Sequence, residues 1–108
     1  MMKPPIIADN NGDVLVFRSL KDAEIYIEPV DVQNNEYTAY DSEGRLLRLK
    51  TIKHNRVALE PIESEPLHAS QLRTLLQEHL VALGLPLEWI DGASLAELVA
   101  KRLEYKTD

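Results

Sequence analysis

Glu36-Tyr37-Thr38-Ala39-Tyr40-Asp41-Ser42-Glu43-Gly44-Arg45-Leu46-Leu47-Arg48-Leu49 reads as a β-hairpin, and the rest of the chain arranges itself around it. Tyr and Thr favour an extended, half-buried backbone. Asp41-Ser42-Glu43-Gly44 supplies turn chemistry, with Gly44 free to take a positive φ. Beyond the turn, Leu47 and Leu49 point to one face while Arg48 and Lys50 point to the other. The hairpin also sits on a charge boundary. Asp22, Glu24, Glu28, Asp31, Glu36, Asp41 and Glu43 precede it with no intervening base, and Arg45, Arg48, Lys50, Lys53 and Arg56 follow with no intervening acid.

Before the hairpin, Pro5-Ile6-Ile7-Ala8-Asp9 and Val14-Leu15-Val16-Phe17-Arg18 flank the turn signal Asn10-Asn11-Gly12-Asp13, so strands are expected over 5–9 and 13–18. The unbroken apolar run of the second strand predicts burial on both faces and a central place in the sheet. Ser19 is a good N-cap for a helix from Leu20 to about Glu28 that presents Leu20, Ala23 and Ile27 on one face, with Ile25 or Tyr26 at its edge. Pro29 stops that helix. Val30-Asp31-Val32 reads as an extended link and Gln33-Asn34-Asn35 as a turn. Strands 36–41 and 45–52 follow, then a turn at Lys53-His54-Asn55 and a strand over 56–60, which Pro61 makes an edge strand or ends.

Past the acidic linker Glu63-Ser64-Glu65-Pro66 the period changes from two to 3.6. Ala69, Leu72, Leu76, Leu80 and Leu83 recur at helical spacing, Gly84 suits a C-terminal cap, and Ser94-Leu95-Ala96-Glu97 is a capping box opening a last helix with Leu95, Leu98, Val99, Arg102 and Leu103 on its face. Trp89 and Ile90 should plug the seam between the two helices. The expected fold is α+β: an antiparallel sheet of about five strands in the order ββαβββ, then two C-terminal helices. Residues 1–108 read as a single domain, with 1–62 forming the sheet and short helix and 63–108 a helical hairpin.

Composition narrows the function classes. The chain has 108 residues, 12 bases against 18 acids, a net charge of −6 and no cysteine. That balance disfavours nucleic acid as a partner, because phosphate contacts need clustered Lys and Arg. Absence of cysteine removes disulfides and thiolate metal sites and suits a cytoplasmic location. Met1-Met2-Lys3-Pro4-Pro5 reads as no signal peptide, and no apolar run approaches the roughly 18 residues of a membrane span.

Catalytic patterns are missing too. His68 and His79 lie 11 positions apart on one expected helix, about 16 Å along its axis and too far to share an ion; His54 falls in a turn. Ser19 and Ser94 are explained as caps, and Gly12 and Gly44 as isolated turn glycines rather than a phosphate-cradling loop. Asp9 and Asp13, like Asp41 and Glu43, flank turns where carboxylates are solvated, whereas a catalytic carboxylate needs a shifted pKa. The reading is therefore non-enzymatic, with no catalytic residue, cofactor or metal. What stands out is the acidic block with its interleaved tyrosines. Tyrosine is enriched at interface hot spots, and a one-signed field steers a partner of opposite charge. Tyr26, Glu28, Asp31, Glu36, Tyr37, Tyr40, Asp41 and Glu43 are the candidate partner-binding residues, with the acids expected to be exposed.

Ile6-Ile7, Gly12-Asp13, Val16-Phe17, Ser19, Asp22-Ala23-Glu24, Tyr26, Glu28-Pro29, Asp31-Val32, Tyr37, Ala39-Tyr40-Asp41 and Glu43-Gly44-Arg45-Leu46 together resemble the small immunity proteins of bacterial polymorphic and contact-dependent toxin systems. The resemblance spans residues 6–49. It implies a cytoplasmic inhibitor that binds and neutralises a cognate toxin domain with a basic surface, a nuclease being one kind that fits. The alternatives are a regulatory binding module without a toxin partner and a small enzyme using turn carboxylates.

Overall fold

The computed structural model describes residues 2–34, 36–52 and 56–105; the turn expected at Lys53-His54-Asn55 and the end of the turn at Asn35 lie outside them. The first hairpin pairs β1 (Ile6–Asn10) with β2 (Asp13–Phe17) through Asn11 and Gly12, both at positive φ. Two positive-φ residues between antiparallel strands make a type I′ connection, the turn whose twist matches that of the strands. The Asp9 carboxylate accepts from the Gly12 amide at 2.8 Å and holds the corner. β3 (Thr38–Tyr40), β4 (Leu46–Ile52) and β5 (Arg56–Pro61) complete a five-stranded antiparallel sheet in the order β2-β1-β3-β4-β5. The α+β reading holds, and β5 is an edge strand as Pro61 implied.

Helices cover the sheet from both sides. On one face, Ile6, Ala8, Leu15, Phe17, Ala39, Leu47, Val57 and Leu59 pack against Ala23 of α1 (Leu20–Tyr26) and the neighbouring Ile27, with Val32 of α2 (Pro29–Gln33) beside them. On the other, Ile7, Val14, Val16 and Tyr40 pack against α3 (Ala69–Ala82), α4 (Leu87–Gly92) and α5 (Leu95–Tyr105) through Leu72, Leu76, Leu80, Ile90, Leu98 and Val99. In β1, β2 and β3, odd and even positions thus serve two cores, whereas Arg48, Lys50 and Arg56 on β4 and β5 face solvent.

Three expectations change. The run Val14–Phe17 is buried on both faces, but β2 is a sheet edge, not a centre. Its two-sided burial comes from helices above and below, which a sequence pattern cannot distinguish from strands on either side. Val30-Asp31-Val32 is not extended: Pro29 begins α2, because proline's fixed φ and missing N–H suit the first helical position. The connector holding Trp89 and Ile90 is itself a helix, α4, although Ile90 is fully buried and Trp89 packs beside it as expected.

Local signals are realised in detail. The Ser19 hydroxyl accepts from the Asp22 amide at 3.1 Å, and the Ser94–Glu97 box is reciprocal, at 2.9 and 3.2 Å. α3 ends in a Schellman arrangement: Gly84 donates to the Val81 carbonyl at 2.9 Å and Leu85 to that of Leu80 at 3.1 Å.

The acidic linker is tied down. The Glu63 carboxylate accepts from the amides of Leu46 at 2.9 Å and Leu67 at 3.2 Å, and meets His68 Nδ1 at 2.9 Å. The Arg45 Nε donates to the Ser64 carbonyl at 2.9 Å, and the His68 amide to the Gly44 carbonyl at 3.0 Å. The β3–β4 turn is thereby seated on the start of α3. Its contact point is Gly44, where a Cβ would fall 2.5 Å from the backbone of Ala69 at a φ of +92°. Gly44→Ala should therefore cost about 2–4 kcal/mol from strain and overpacking. Gly12→Ala, with open space around it, should cost only about 1 kcal/mol. Urea unfolding of the two variants measures the difference; equal losses would mean that the turn does not dock α3.

Candidate partner-binding surface

The acidic block is divided by the fold. Ser19 starts α1, and Pro29 forces the residues before it out of helical geometry, leaving Ile27 extended and buried and Glu28 projecting. α2 then places Asp31 in its first turn, and the Glu36 amide returns to the Asp31 carbonyl at 3.1 Å, folding the loop back on the helix. The Tyr26 ring lies against Phe17, centroids 5.2 Å apart at 52°, so one side of it is anchored by the core while the residue stays 53 % exposed.

Tyr37 joins this group. Burial pushes its hydroxyl above the ordinary range, the Asp31 charge and Tyr26 push the same way, a hydrogen bond with the Asn10 side chain opposes them, and Glu36 adds to the rise. Thr38 pairs with Asp9, so Tyr37 lies beside Asn10 at the turn end of the first hairpin, with Tyr26, Asp31 and Glu36 close enough to act on its hydroxyl. Among the described residues, no base lies within ion-pairing distance of Asp22, Glu28, Asp31 or Glu36. Ile25, 73 % exposed, and Val30, 53 % exposed, are the apolar members of this helical layer that the sequence reading left out. Val30 was concealed by the extended-link reading, and Ile25 was read only as a possible edge of the helix.

Tyr40, Asp41 and Glu43 lie elsewhere. Tyr37 and Tyr40 are three positions apart, so an extended backbone turns them to opposite faces. Tyr40 is 9 % exposed in the core beneath α3, and burial, then the Asp9 charge, raises its hydroxyl pKa. It borders a shallow cleft with Asp9, Ser70, Gln71, Thr74 and Glu78. Asp41, expected to be exposed, is 0 % exposed. Its carboxylate accepts from the Lys3 amide at 3.1 Å, the Glu43 amide at 3.0 Å, the Arg45 amide at 2.9 Å and Arg45 Nη1 at 3.0 Å. Glu43 bridges Arg45 at 2.7 Å and Lys3 at 3.3 Å, and its carboxyl is held below the usual range by the Arg45 guanidinium first and by Lys3 next. The charge boundary read from the sequence is therefore a closed ion cluster. Downstream, Arg48 and Lys50 share Glu60 at 3.5 and 3.3 Å.

Among the described residues no three His, Cys, Asp or Glu side chains gather to hold a metal, and no helix is long and apolar enough to cross a membrane. Comparison with protein-family models, curated proteins and solved structures finds no match to the chain.

Asp41→Ala should destabilise the protein by about 3 kcal/mol or more, the cost of leaving three backbone amides without their acceptor and taking from Arg45 one of its two carboxylates, rather than the fraction of a kcal/mol typical of a surface acid. Chemical denaturation measures it, and a loss below about 1 kcal/mol would return Asp41 to the exposed set. Acid should act through Glu63. Desolvation pushes its carboxyl up, but His68 and the Leu46 and Leu67 amides outweigh this and hold it below the usual range. A carboxyl depressed in the folded state stabilises above its unfolded value, about 4.3 for glutamate, and that contribution is lost as pH falls towards the folded value. Melting temperatures from neutral pH to about pH 3 should fall more gently in Glu63→Gln than in the parent. An unchanged slope would remove Glu63 from the acid response.

Proposed function

We propose that this protein is a non-catalytic binding protein that occludes a partner with a basic surface, acting as the small immunity proteins it resembles act on toxin domains. The observation that carries the reading is the α1–α2 layer, where among the described residues Glu28, Asp31 and Glu36 have no base within ion-pairing distance and share the layer and its return loop with the exposed Tyr26 and Val30 and the half-buried Tyr37. An apolar and aromatic centre gives affinity and a one-signed rim gives approach and register. A toxin domain working on nucleic acid would present the basic face this surface suits, and a protective inhibitor of that kind would act in the cytoplasm. Tyr40, Asp41 and Glu43 fall outside this surface, Tyr40 in the core under α3 and the two acids in the ion cluster of the β3–β4 turn.

The direct experiment is growth rescue: the chain is co-expressed with a toxin-like domain encoded beside its gene, and survival supports the reading. Against that partner, Glu28→Lys, Asp31→Lys and Glu36→Lys should each slow association, and the slowing should shrink with salt, because the Debye length is about 8 Å at physiological ionic strength. Tyr26→Ala should instead speed dissociation, costing about 2 kcal/mol if it is an anchor. Reversal of Arg48 and Lys50 is the control and should leave association unchanged or faster. Silent acid reversals with a crippling Arg48 and Lys50 reversal would move the binding surface to β4 and the partner's sign to negative.

A further inference from the structure

The two sheet edges are treated differently from the rest of the backbone. The two-residue corner at Asn11 and Gly12 closes on the pair Asn10 and Asp13, so alternation along the ladder turns the peptide groups of Val14 away from β1. The Val14 carbonyl receives Nη2 of Arg102 at 3.1 Å, and Arg102, buried in α5, is locked in turn by donating Nε to His79 Nε2 at 2.8 Å. On β5 the Ile62 amide donates to the Leu46 carbonyl at 3.0 Å, which makes 46 and 62 a hydrogen-bonded pair. Counting by two along the unbroken register, the peptide groups of Val57, Leu59 and Pro61 point away from β4. Proline has no N–H to offer there. The Leu59 N–H is taken by the Glu24 carboxylate of α1 at 2.9 Å. Val57 borders a depression lined also by Glu24, Lys21, Ile25 and Arg56, and with α1 seated beside this edge Val57 and Leu59 are only 4 % and 3 % exposed.

That edge is complementary to itself. If two β5 strands run antiparallel about a two-fold axis at Ala58, Val57 of each faces Leu59 of the other, and these are the residues whose peptide groups point outward. The same register sets Ala58 against Ala58, small side chains at the closest approach, and Arg56 against Glu60 of the second copy on both sides of the axis. Only a register centred on Ala58 makes that charge match. Half of the N–H donors of such a joint are the Leu59 amides that Glu24 occupies. We infer that β5 is a latent self-pairing edge whose fitting partner is β5 of a second copy of this chain, and that Glu24 keeps it shut by holding the Leu59 N–H. This is independent of the acidic-surface reading.

Sedimentation velocity or light scattering on the full chain tests it. The parent should be monomeric, and Glu24→Ala should self-associate on the order of tenfold more tightly, since two donors are released. Glu24→Gln keeps an oxygen acceptor at the site and should stay close to the parent. Adding Arg56→Glu to Glu24→Ala opposes two carboxylates across the joint and should restore the monomer. Circular dichroism melts verify folding, and Glu24→Met, which keeps the aliphatic stem on α1, replaces Glu24→Ala if the latter loses its cooperative melt. A folded Glu24 variant that stays monomeric at the highest concentration, an association indifferent to Arg56→Glu, or a parent that pairs as tightly as the variant would each overturn the inference.

Discussion

The carboxylate of Asp41 is the contact from which the architecture follows. A charge withdrawn from water is tolerated only when its lone pairs are filled and its sign is matched, because desolvation otherwise exceeds the Coulombic gain. Here three backbone amides and a guanidinium meet both conditions, and they come from the N-terminal segment, the turn itself and the start of β4. Closing the turn in this way aims the Gly44 carbonyl at the His68 amide and brings Gly44 against Ala69. One ion cluster thus sets where β4 begins and where α3 docks. Glu63 repeats the device one layer further out, gathering the first amide of β4 and the approach to α3 on a single carboxylate.

Features governed by neighbours in sequence were legible, and features governed by distant partners were not. Asn11-Gly12 dictates its corner, Ser19 and the Ser94–Glu97 box their helix starts, and Gly84 its helix end, all within a few residues. The burial of Asp41 depends on Lys3, 38 positions away, and the closing of the β2 edge depends on Arg102, 88 positions from Val14. No periodicity carries such information. The run Val14–Phe17 spells burial on two faces, but two covered faces do not imply two paired edges. Pro29 was read correctly as the end of α1, but the same fixed φ that ends one helix begins the next.

The candidate surface divides along the same line. Tyr26, Glu28, Asp31, Glu36 and Tyr37 belong to one helical layer and its return loop, so sequence neighbourhood put them together. Tyr40 could have been separated from Tyr37 by strand parity alone, since an odd step in an extended chain changes face. Asp41 and Glu43 share the block's composition but not its environment. Arg45, two to four positions on, neutralises them, so the apparent boundary between acid and base is an attraction that folds the turn.

The remaining acids are placed where the structure can least compensate for them. α1 and α2 span seven and five residues, too short to persist alone, and they stay folded because Ala23, Ile27 and Val32 are pressed onto the sheet. Glu28, Asp31 and Glu36 sit on this layer, and no base among the described residues is within ion-pairing distance of them. A like-charged cluster weakens the compact state and strengthens attraction to an opposite field. The layer is tied to the sheet by its core contacts and by Glu24 on the Leu59 amide, and the α3–α5 side through Arg102, Glu63 and Gly44. A basic surface laid across it would pair with acids that no described base of the chain reaches, so part of the binding free energy would come from what the unbound layer lacks.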